Sequence, residues 1–577
     1  MSVFQLAGVE AMINVPAPMR DGVKLSTDIY LPRDQRGPFP VILRRTPYDN
    51  TGMGAAEDAA YFVQRGYAYV AQDGRGRYDS EGLYQPWAED FPDGHDTIEW
   101  IGRQPWCNGN VGTQGASYMG FVQWAAAAGG SRFLKCIAPR IVGTSVYHDW
   151  LFRGGAFHLS FFLHWNLRMT GRSAQNLGLY NFRELENVLP LRDIPKRAGQ
   201  LGTHLDTVLQ HPTYDAFWKA LSVNERFADI KVPVFALNGW FDYFLGGTLK
   251  GYVGMREHGG SELARLNQKL VLGPWFHGGN LRTNAGQVDF GFASMQEPRV
   301  TELRWFDRWL KGAANGVDTE APIRLFTMGA NQWREEREWP IARTQFTRFF
   351  LHSRGSANSA RGDGVLSTQT PTDEPSDRYA YDPMDPVPTM GGNGYGPQVS
   401  LAGAQGAAGL ALGPQYAGSH DQRLVEARHD VLVYTTEPLA QDVEVTGPVS
   451  VVLHASSDCT DTDFTAKLVD VHPSGYAVNV CDGILRARYR ESLETPRLLT
   501  PGKVEQLTID LWATSNLFKQ GHRIRLEVSS SNFPHYDRNL NTGHDWGVDA
   551  AMQVAHQEVH HTQAHPSHVL LPVVPAR

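Results

Sequence analysis

The sequence predicts an α/β protein with a mainly parallel sheet, a helical insertion and a C-terminal all-β domain. Three observations predict it. Strand and helix patterns alternate through the first third of the chain. An aromatic-rich stretch without strand patterns then breaks the rhythm. Toward the C-terminus apolar alternation dominates.

In chain order, Val23–Leu31 and Pro40–Arg45 read as strands, Asp58–Arg65 as a helix and Ala68–Gln72 as a strand. Asp93–Ile101 reads as a helix, Asn110–Gly115 as extended, Met119–Ala128 as a helix and Lys135–Pro139 as a short strand. From about Ser145 to Ala228 the pattern changes. Phe157, Leu159, Phe161, Phe162, Trp165 and Leu167 give helices a large apolar surface, and the segment reads as an inserted cap. Val232–Leu237 and Lys269–Gly273 resume the sheet and read as its last strands, and Thr301–Leu310 is a closing amphipathic helix. Arg354–Asp421, with Leu401–Pro414 inside it, is rich in Gly, Ala, Ser and Pro and reads as an irregular connection. Val431–Tyr434, Val443–Leu453, Thr465–Val471, Gln506–Trp512 and His522–Ser529 then read as strands of a β-sandwich or jelly roll. The expected domains are residues 1–144 with 229–351, 145–228, and 352–577.

Composition narrows the function. The chain has 577 residues, enough for about three domains at roughly 100–200 residues each. A net charge of −8 is small for this length and argues against nucleic acid as a partner. No apolar run is long enough to span a bilayer. Met1–Pro16 lacks the basic head and apolar core of a signal peptide. Cys107, Cys136, Cys459 and Cys481 are scattered, without metal or disulfide spacing, as expected of reduced thiols in a cytoplasmic protein. The oligomeric state stays open, a homodimer included.

The strongest motif is Gly115-Ala116-Ser117-Tyr118-Met119-Gly120, between an extended segment and an Ala-rich helix. That is the setting of a nucleophile elbow, where small residues must surround an exposed serine. A serine needs a base and an orienting acid. On the α/β-hydrolase fold these follow in the order serine, acid, histidine, in loops after late strands. Asp242 follows Val232–Leu237 and His277 follows Lys269–Gly273, so both stand at carboxyl ends of strands, where open α/β sheets place their sites. Alone, Asp242 would read as a helix cap and His277 as a loop residue; order and context together favour a triad. The Tyr118 backbone N–H is one expected oxyanion donor. The early strand ends in Arg44-Arg45-Thr46-Pro47-Tyr48-Asp49 with no Gly-Gly pair, which leaves the Tyr48 hydroxyl as the second candidate, against packing as the alternative.

These motifs resemble the cocaine-esterase-like acyl hydrolases, relatives of X-Pro dipeptidyl peptidases and cephalosporin acylases. The resemblance runs over nearly the whole chain. It includes Met19-Arg20-Asp21-Gly22-Val23, Asp73-Gly74-Arg75-Gly76, Ser80-Glu81-Gly82 and Trp106-Cys107-Asn108-Gly109-Asn110-Val111-Gly112. It continues in Gly239-Trp240-Phe241-Asp242, Gly273-Pro274-Trp275-Phe276-His277, Asp463-Phe464-Thr465-Ala466-Lys467-Leu468, Ser529-Ser530-Ser531-Asn532-Phe533-Pro534 and His565-Pro566-Ser567-His568. It implies an α/β-hydrolase core, helical cap and C-terminal jelly roll, with Ser117, His277 and Asp242 as triad and Tyr48 completing the oxyanion hole. Amino-acid ester hydrolases of the group bind an ammonium through three acids. Here two of those places hold Phe244 and Leu245, and Asp149 matches the third or is a cap or surface residue. Trp165 and Phe244 match aromatic substrate-pocket positions, while Trp150 lines the same cavity or belongs to the core. Met390–Pro397, which the resemblance brings near the acyl site, differs from the cocaine-esterase sequence.

The reading is therefore a serine esterase for small-molecule esters, working without cofactor. An amidase or peptidase with the same triad is the nearest rival, and a carbohydrate-binding protein with a lapsed core the more distant one. His556, His560, His561, His565 and His568 do not read as a metal site, because His565-Pro566 breaks any helix and Val569-Leu570-Leu571 continues as a strand. Arg75 and Arg77 beside Asp73 and Asp79 read as a structural turn network, and no G-x-x-x-x-G-K nucleotide loop occurs.

Overall fold

The long buried strands of the N-terminal region gather into one sheet. The computed structural model describes residues 8–52, 54–175, 177–200, 204–394 and 417–575. The strands are β1 (Val9–Pro18), β2 (Lys24–Pro32), β3 (Phe39–Thr46), β4 (Ala68–Asp73), β5 (Cys107–Ala116), β6 (Leu134–Arg140), β7 (Val234–Gly239), β8 (Gln268–Gly273), β9 (Ile323–Thr327) and β10 (Gln332–Glu336). They lie in the order β1-β2-β4-β3-β5-β6-β7-β8-β9-β10. Neighbours from β4 across to β9 are parallel. The pairs β1–β2, β2–β4 and β9–β10 are antiparallel. Every residue of β3, β7 and β8 is buried, as parallel strands covered on both faces require.

Successive residues of the sheet serve two cores. Val41, Leu43, Val70 and Ile137 face the layer that includes α3 (Tyr118–Ala128) and α2 (Asp90–Gly102). Ile42, Tyr69, Ala71 and Ala138 face the layer that includes α1 (Ala55–Val63) and α6 (Pro298–Lys311). The period-two alternation of a strand thus assigns each side chain to one layer. Between β6 and β7 the chain forms a wide helical turn at Val146–Leu151, a small ladder of Phe152–Arg153 with Ala156–Phe157, and α4 (Leu159–Met169), followed by short helical pieces. After β7 comes α5 (Leu245–His258).

Among the described residues the C-terminal sheet has eleven strands. They are β11 (Gln345–His352), β12 (Val365–Ser367), β13 (Asp377–Tyr381), β14 (Leu432–Thr435), β15 (Val443–Ser457), β16 (Asp463–Val471), β17 (Ala477–Arg486), β18 (Glu505–Phe518), β19 (Arg523–Ser529), β20 (Ala555–His560) and β21 (His568–Val574). Ten follow the order β13-β20-β15-β21-β11-β12-β14-β19-β16-β17, and β18 pairs with β15.

Four expectations need correction. The sheet does not end with β8: β9 adds in parallel and β10 turns back on it, so Ile323 and Leu325 are buried. The insertion is not free of strands, because the two-residue ladder sits inside it. The core does not reach residue 351: Gln345–Phe350 already pairs with His568–Val573, so the C-terminal domain starts earlier. Arg354–Asp421 is not wholly irregular, since β12 and β13 join the C-terminal sheet. Leu401–Pro414, and the last three residues of Met390–Pro397, lie outside the described residues.

Candidate active site

β5 runs out at Ala116 and α3 begins at Tyr118, so Ser117 stands alone between them at φ 61° and ψ −128°. An L residue holds such a conformation only when its surroundings enforce it. Here the Ser117 N–H donates to the Arg140 carbonyl at 2.9 Å, and the Ser117 carbonyl accepts from Gly120 at 2.7 Å and Phe121 at 3.1 Å. The flanking glycines are required by space. A Cβ on Gly120 would sit 2.6 Å from Val142 Cγ1, and one on Gly115, at φ 143°, 2.6 Å from Met119 Cβ. The turn leaves the serine half-buried at the carboxyl edge of the sheet.

Two strands along, the loops after β7 and β8 bring Asp242 and His277 together. Asp242 Oδ2 lies 2.6 Å from His277 Nδ1, and Asp242 Oδ1 accepts the Phe244 N–H at 2.7 Å. Both side chains are buried. The other imidazole nitrogen, Nε2, lies 3.4 Å from the Tyr243 hydroxyl. The loop is held from the C-terminal region: Asn393 Nδ2 donates to the Trp240 carbonyl at 3.0 Å and to the Asp242 carbonyl at 3.1 Å.

Tyr48 follows β3 directly. Its N–H donates to Thr46 Oγ1 at 3.0 Å, and its hydroxyl accepts the Trp165 Nε1–H at 3.0 Å. Burial pushes the phenol pKa above its ordinary value. Opposing that are the side-chain hydrogen bond with Trp165, the charges of Arg168 and Arg77, and a hydrogen bond with the Ser117 side chain. The structure thus brings Tyr48 to Ser117. Its ring also meets the Tyr118 ring edge-on at 6.4 Å. The Tyr118 hydroxyl turns away, donating to Asp90 Oδ2 at 2.6 Å and accepting the Trp87 N–H at 2.7 Å. Its backbone N–H follows directly on the serine, at the start of α3.

The three predicted pocket residues belong to one buried aromatic wall. Trp165 stacks on Trp87 at 5.2 Å and on Tyr118 at 6.0 Å. Trp150 touches Phe244 at 4.6 Å and Trp165 at 5.8 Å, and is fully buried. Phe244 lies 5.6 Å from the His277 ring. The wall therefore runs without a break from the Ser117–Tyr48 side to the Asp242–His277 side. Asp149 is no part of it. Its Oδ2 accepts the N–H groups of Thr144 at 2.9 Å and Ser145 at 2.8 Å, so it caps the turn from inside. Burial still pushes its carboxyl upward, with Lys250 and those two amides opposing.

Sequence reasoning missed Trp87, Tyr243 and Asn393. Trp87 stands in an irregular polar loop at φ 69°, without any periodic signal. Tyr243 adjoins the acid and was open to notice on that ground. Asn393 lies within Met390–Pro397, the segment the resemblance brings near the acyl site, but nothing marks the residue itself, since Gly391-Gly392 before it signals only a turn. Among the tail histidines, the two nitrogens of His561 face Asp377 at 2.9 Å and Glu374 at 3.4 Å, while His556 pairs with Asp458. A different group, Asp470, His472 and His522, places donor atoms within 4.8 Å of one another among the described residues. It lines a cavity of about 170 Å³ that Lys519 also lines. Asp470 and His522 pair at 2.8 Å, and the Lys519 charge bears on His472.

Two family models match. One, described as X-Pro dipeptidyl-peptidase (S15 family), covers residues 21–279, and the other, its C-terminal non-catalytic domain, covers residues 315–570. The chain is 40% identical over 590 residues to the cocaine esterase of Rhodococcus sp. (strain MB1 Bresler), across 97% of this chain and 98% of that protein. A solved α-amino acid ester hydrolase superposes with TM-score 0.85 at 29% identity, covering 99% of this chain and 98% of that one. A solved aminopeptidase from the marine sediment archaeon Thaumarchaeota archaeon superposes with TM-score 0.84 at 26% identity, covering 99% and 97%.

Proposed function

The chain belongs to the X-Pro dipeptidyl-peptidase (S15) family, on its cocaine-esterase-like side, and from that premise we propose a serine esterase that splits small-molecule carboxylic esters through an acyl-enzyme. One observation carries the reading: a serine forced into a strained turn shares a sheet edge with a short carboxylate–imidazole hydrogen bond. Ser117 is the nucleophile, His277 the base and Asp242 the residue that orients it. Asp242 holds the hydrogen on Nδ1, which leaves Nε2 to take the serine proton as Oγ attacks the ester carbonyl. The Tyr118 N–H and the Tyr48 hydroxyl receive the charge that develops on the carbonyl oxygen. His277 returns the proton to the leaving alcohol, and water repeats the cycle on the acyl-enzyme. No cofactor enters any step.

Trp150, Trp165 and Phe244 form the substrate wall. An uncharged aromatic surface favours flat or apolar acyl groups over an ammonium-bearing one. Phe244 and Leu245 stand where amino-acid ester hydrolases place acids, and Asp149 is engaged by its own turn, which supports the same preference. We divide the chain into a hydrolase core (1–144 and 229–344), a helical cap (145–228) and a jelly roll (345–577). Among the described residues no helix is long and apolar enough to cross a membrane. Four buried free thiols support a reducing, cytoplasmic setting. A homodimer is a further proposal, and sedimentation at twice the chain mass is its test.

The likeness to an aminopeptidase favours amide cleavage as the second reading. Matched ester and anilide substrates with one acyl group separate the two. Higher kcat/KM on the ester is expected; equal or higher values on the anilide would overturn the assignment.

A further inference from the structure

Arg77 is fully buried, yet its side-chain hydrogen bonds go to main-chain carbonyls and, from Nη2 at 4.0 Å, to the Met169 thioether, not to a carboxylate. Nε donates to the Pro47 carbonyl at 2.9 Å. Nη1 donates to the Met169 carbonyl at 2.9 Å and to the Gly171 carbonyl. Those carbonyls belong to two different elements. Pro47 immediately precedes Tyr48. Met169 is the last residue of α4, the helix that carries Trp165, and Trp165 in turn donates to the Tyr48 hydroxyl. The contacts close a circuit: Arg77 to the peptide before Tyr48, along Tyr48 to its hydroxyl, through Trp165 into α4, and from the end of α4 back to Arg77. A cation at a helix C-terminus also complements the helix dipole. The rigid fork of a guanidinium can hold two partners at a fixed spacing, which a single ammonium cannot.

We propose that Arg77 is the positioning residue of the oxyanion hole, fixing the distance between the Tyr48 loop and α4 so that the Tyr48 hydroxyl stays aimed at the oxygen of the reacting carbonyl. This rests on the reading of Tyr48 as an oxyanion donor. Arg77 does not touch the substrate and acts only through Tyr48. Its contribution is therefore to turnover and not to substrate binding, because charge on the carbonyl oxygen appears only during reaction. The aromatic rings of Tyr84 and Tyr78 lie 4.8 and 5.5 Å from the guanidinium carbon.

A double-mutant cycle tests this, with Arg77→Lys, Tyr48→Phe and the pair, each checked by melting curve. Arg77→Gln replaces the lysine variant if that one does not fold. Arg77→Lys is expected to lower kcat by about tenfold or more with KM changed less than about threefold. In the Tyr48→Phe background the same change is expected to cost less than about threefold, because the hydroxyl it positions is gone. If the two losses multiply, or if KM moves instead of kcat, Arg77 is a structural tether and the proposal fails while Tyr48 stands. If Tyr48→Phe alone leaves turnover intact, the oxyanion reading itself fails, and this proposal with it. That outcome is read in a protein whose Arg77 is untouched.

Discussion

Trp165 donates its indole N–H to the Tyr48 hydroxyl at 3.0 Å, so the phenol accepts from the helix side and keeps its own hydrogen to donate elsewhere. An indole N–H is a donor only, which fixes the direction of this bond. Ser117 is on the same side of the site, its side chain hydrogen-bonded with the phenol.

Tyr48→Phe removes that hydrogen and keeps the ring. Turnover should fall by roughly 10²–10³, equivalent to about 2.7–4 kcal/mol of transition-state stabilisation, with a smaller change in KM. Steady-state kinetics beside a melting curve is the check. A variant that keeps more than about a third of wild-type turnover while chemistry limits the rate would make Tyr48 a packing residue.

Ser117→Ala should abolish turnover and leave the melting temperature close to wild type, because one half-buried hydroxyl is lost. A fluorophosphonate should label the wild type at Ser117 and leave the variant unlabelled, as read by peptide mass. A label on another serine sinks the elbow assignment.

Asp242→Asn keeps an oxygen for the Phe244 N–H but can turn an amide N–H toward His277 Nδ1. The imidazole then holds its hydrogen on the wrong nitrogen, and turnover should drop on the order of 10⁴. The measurement is kcat with the imidazole tautomer assigned by nitrogen NMR. Normal kcat would remove Asp242 from the triad.

Glu302, on α6, is buried against Arg140 at 3.2 Å. Burial pushes its carboxyl up from 4.5 to about 7, with the Arg140 charge pulling the other way. Between those values the unfolded chain has released a proton that the folded chain keeps. The Glu302 contribution to stability is thus full below 4.5 and lost as pH rises through about 7. Glu302→Gln has no such proton. The melting temperature of the variant minus that of the wild type should therefore climb from pH 4.5 to just above 7, then level off. A difference that stays flat across this range would mean that Glu302 titrates like an exposed carboxyl.

What could be read from the sequence follows the range of the forces involved. The elbow was legible because its signal is local: strand, small residues, serine, helix. Asp242 and His277 were legible because each lies a few residues past an apolar strand. α5 was not, since Gly246, Gly247, Gly251 and Gly254 weaken any helical pattern. All four face neighbours, Trp512, Asp149, Thr144 and Phe227 in turn, within 3 Å of where a Cβ would stand. β9 escaped because Arg324 breaks a short apolar run, although that residue faces outward. Asp149 was readable as a cap or an ammonium ligand, and only the position of two backbone amides, themselves folded by the insertion, decides for the cap.

The amide of Asn393 spans the Trp240 and Asp242 carbonyls from a segment beyond the first strands of the C-terminal sheet. The indole of Trp512 similarly lies 2.5 Å from where a Cβ on Gly246 would stand. The two halves therefore cannot be traded as cassettes. A recombination crossover placed between the halves would separate an acid-bearing loop from the amide that buttresses it. Chimeras built from related parents would then express and melt cooperatively yet turn over poorly until position 393 and the Trp240–Asp242 loop came from the same parent. Truncation to the N-terminal half is expected to leave the Trp240–Asp242 loop without that buttress and to lower turnover.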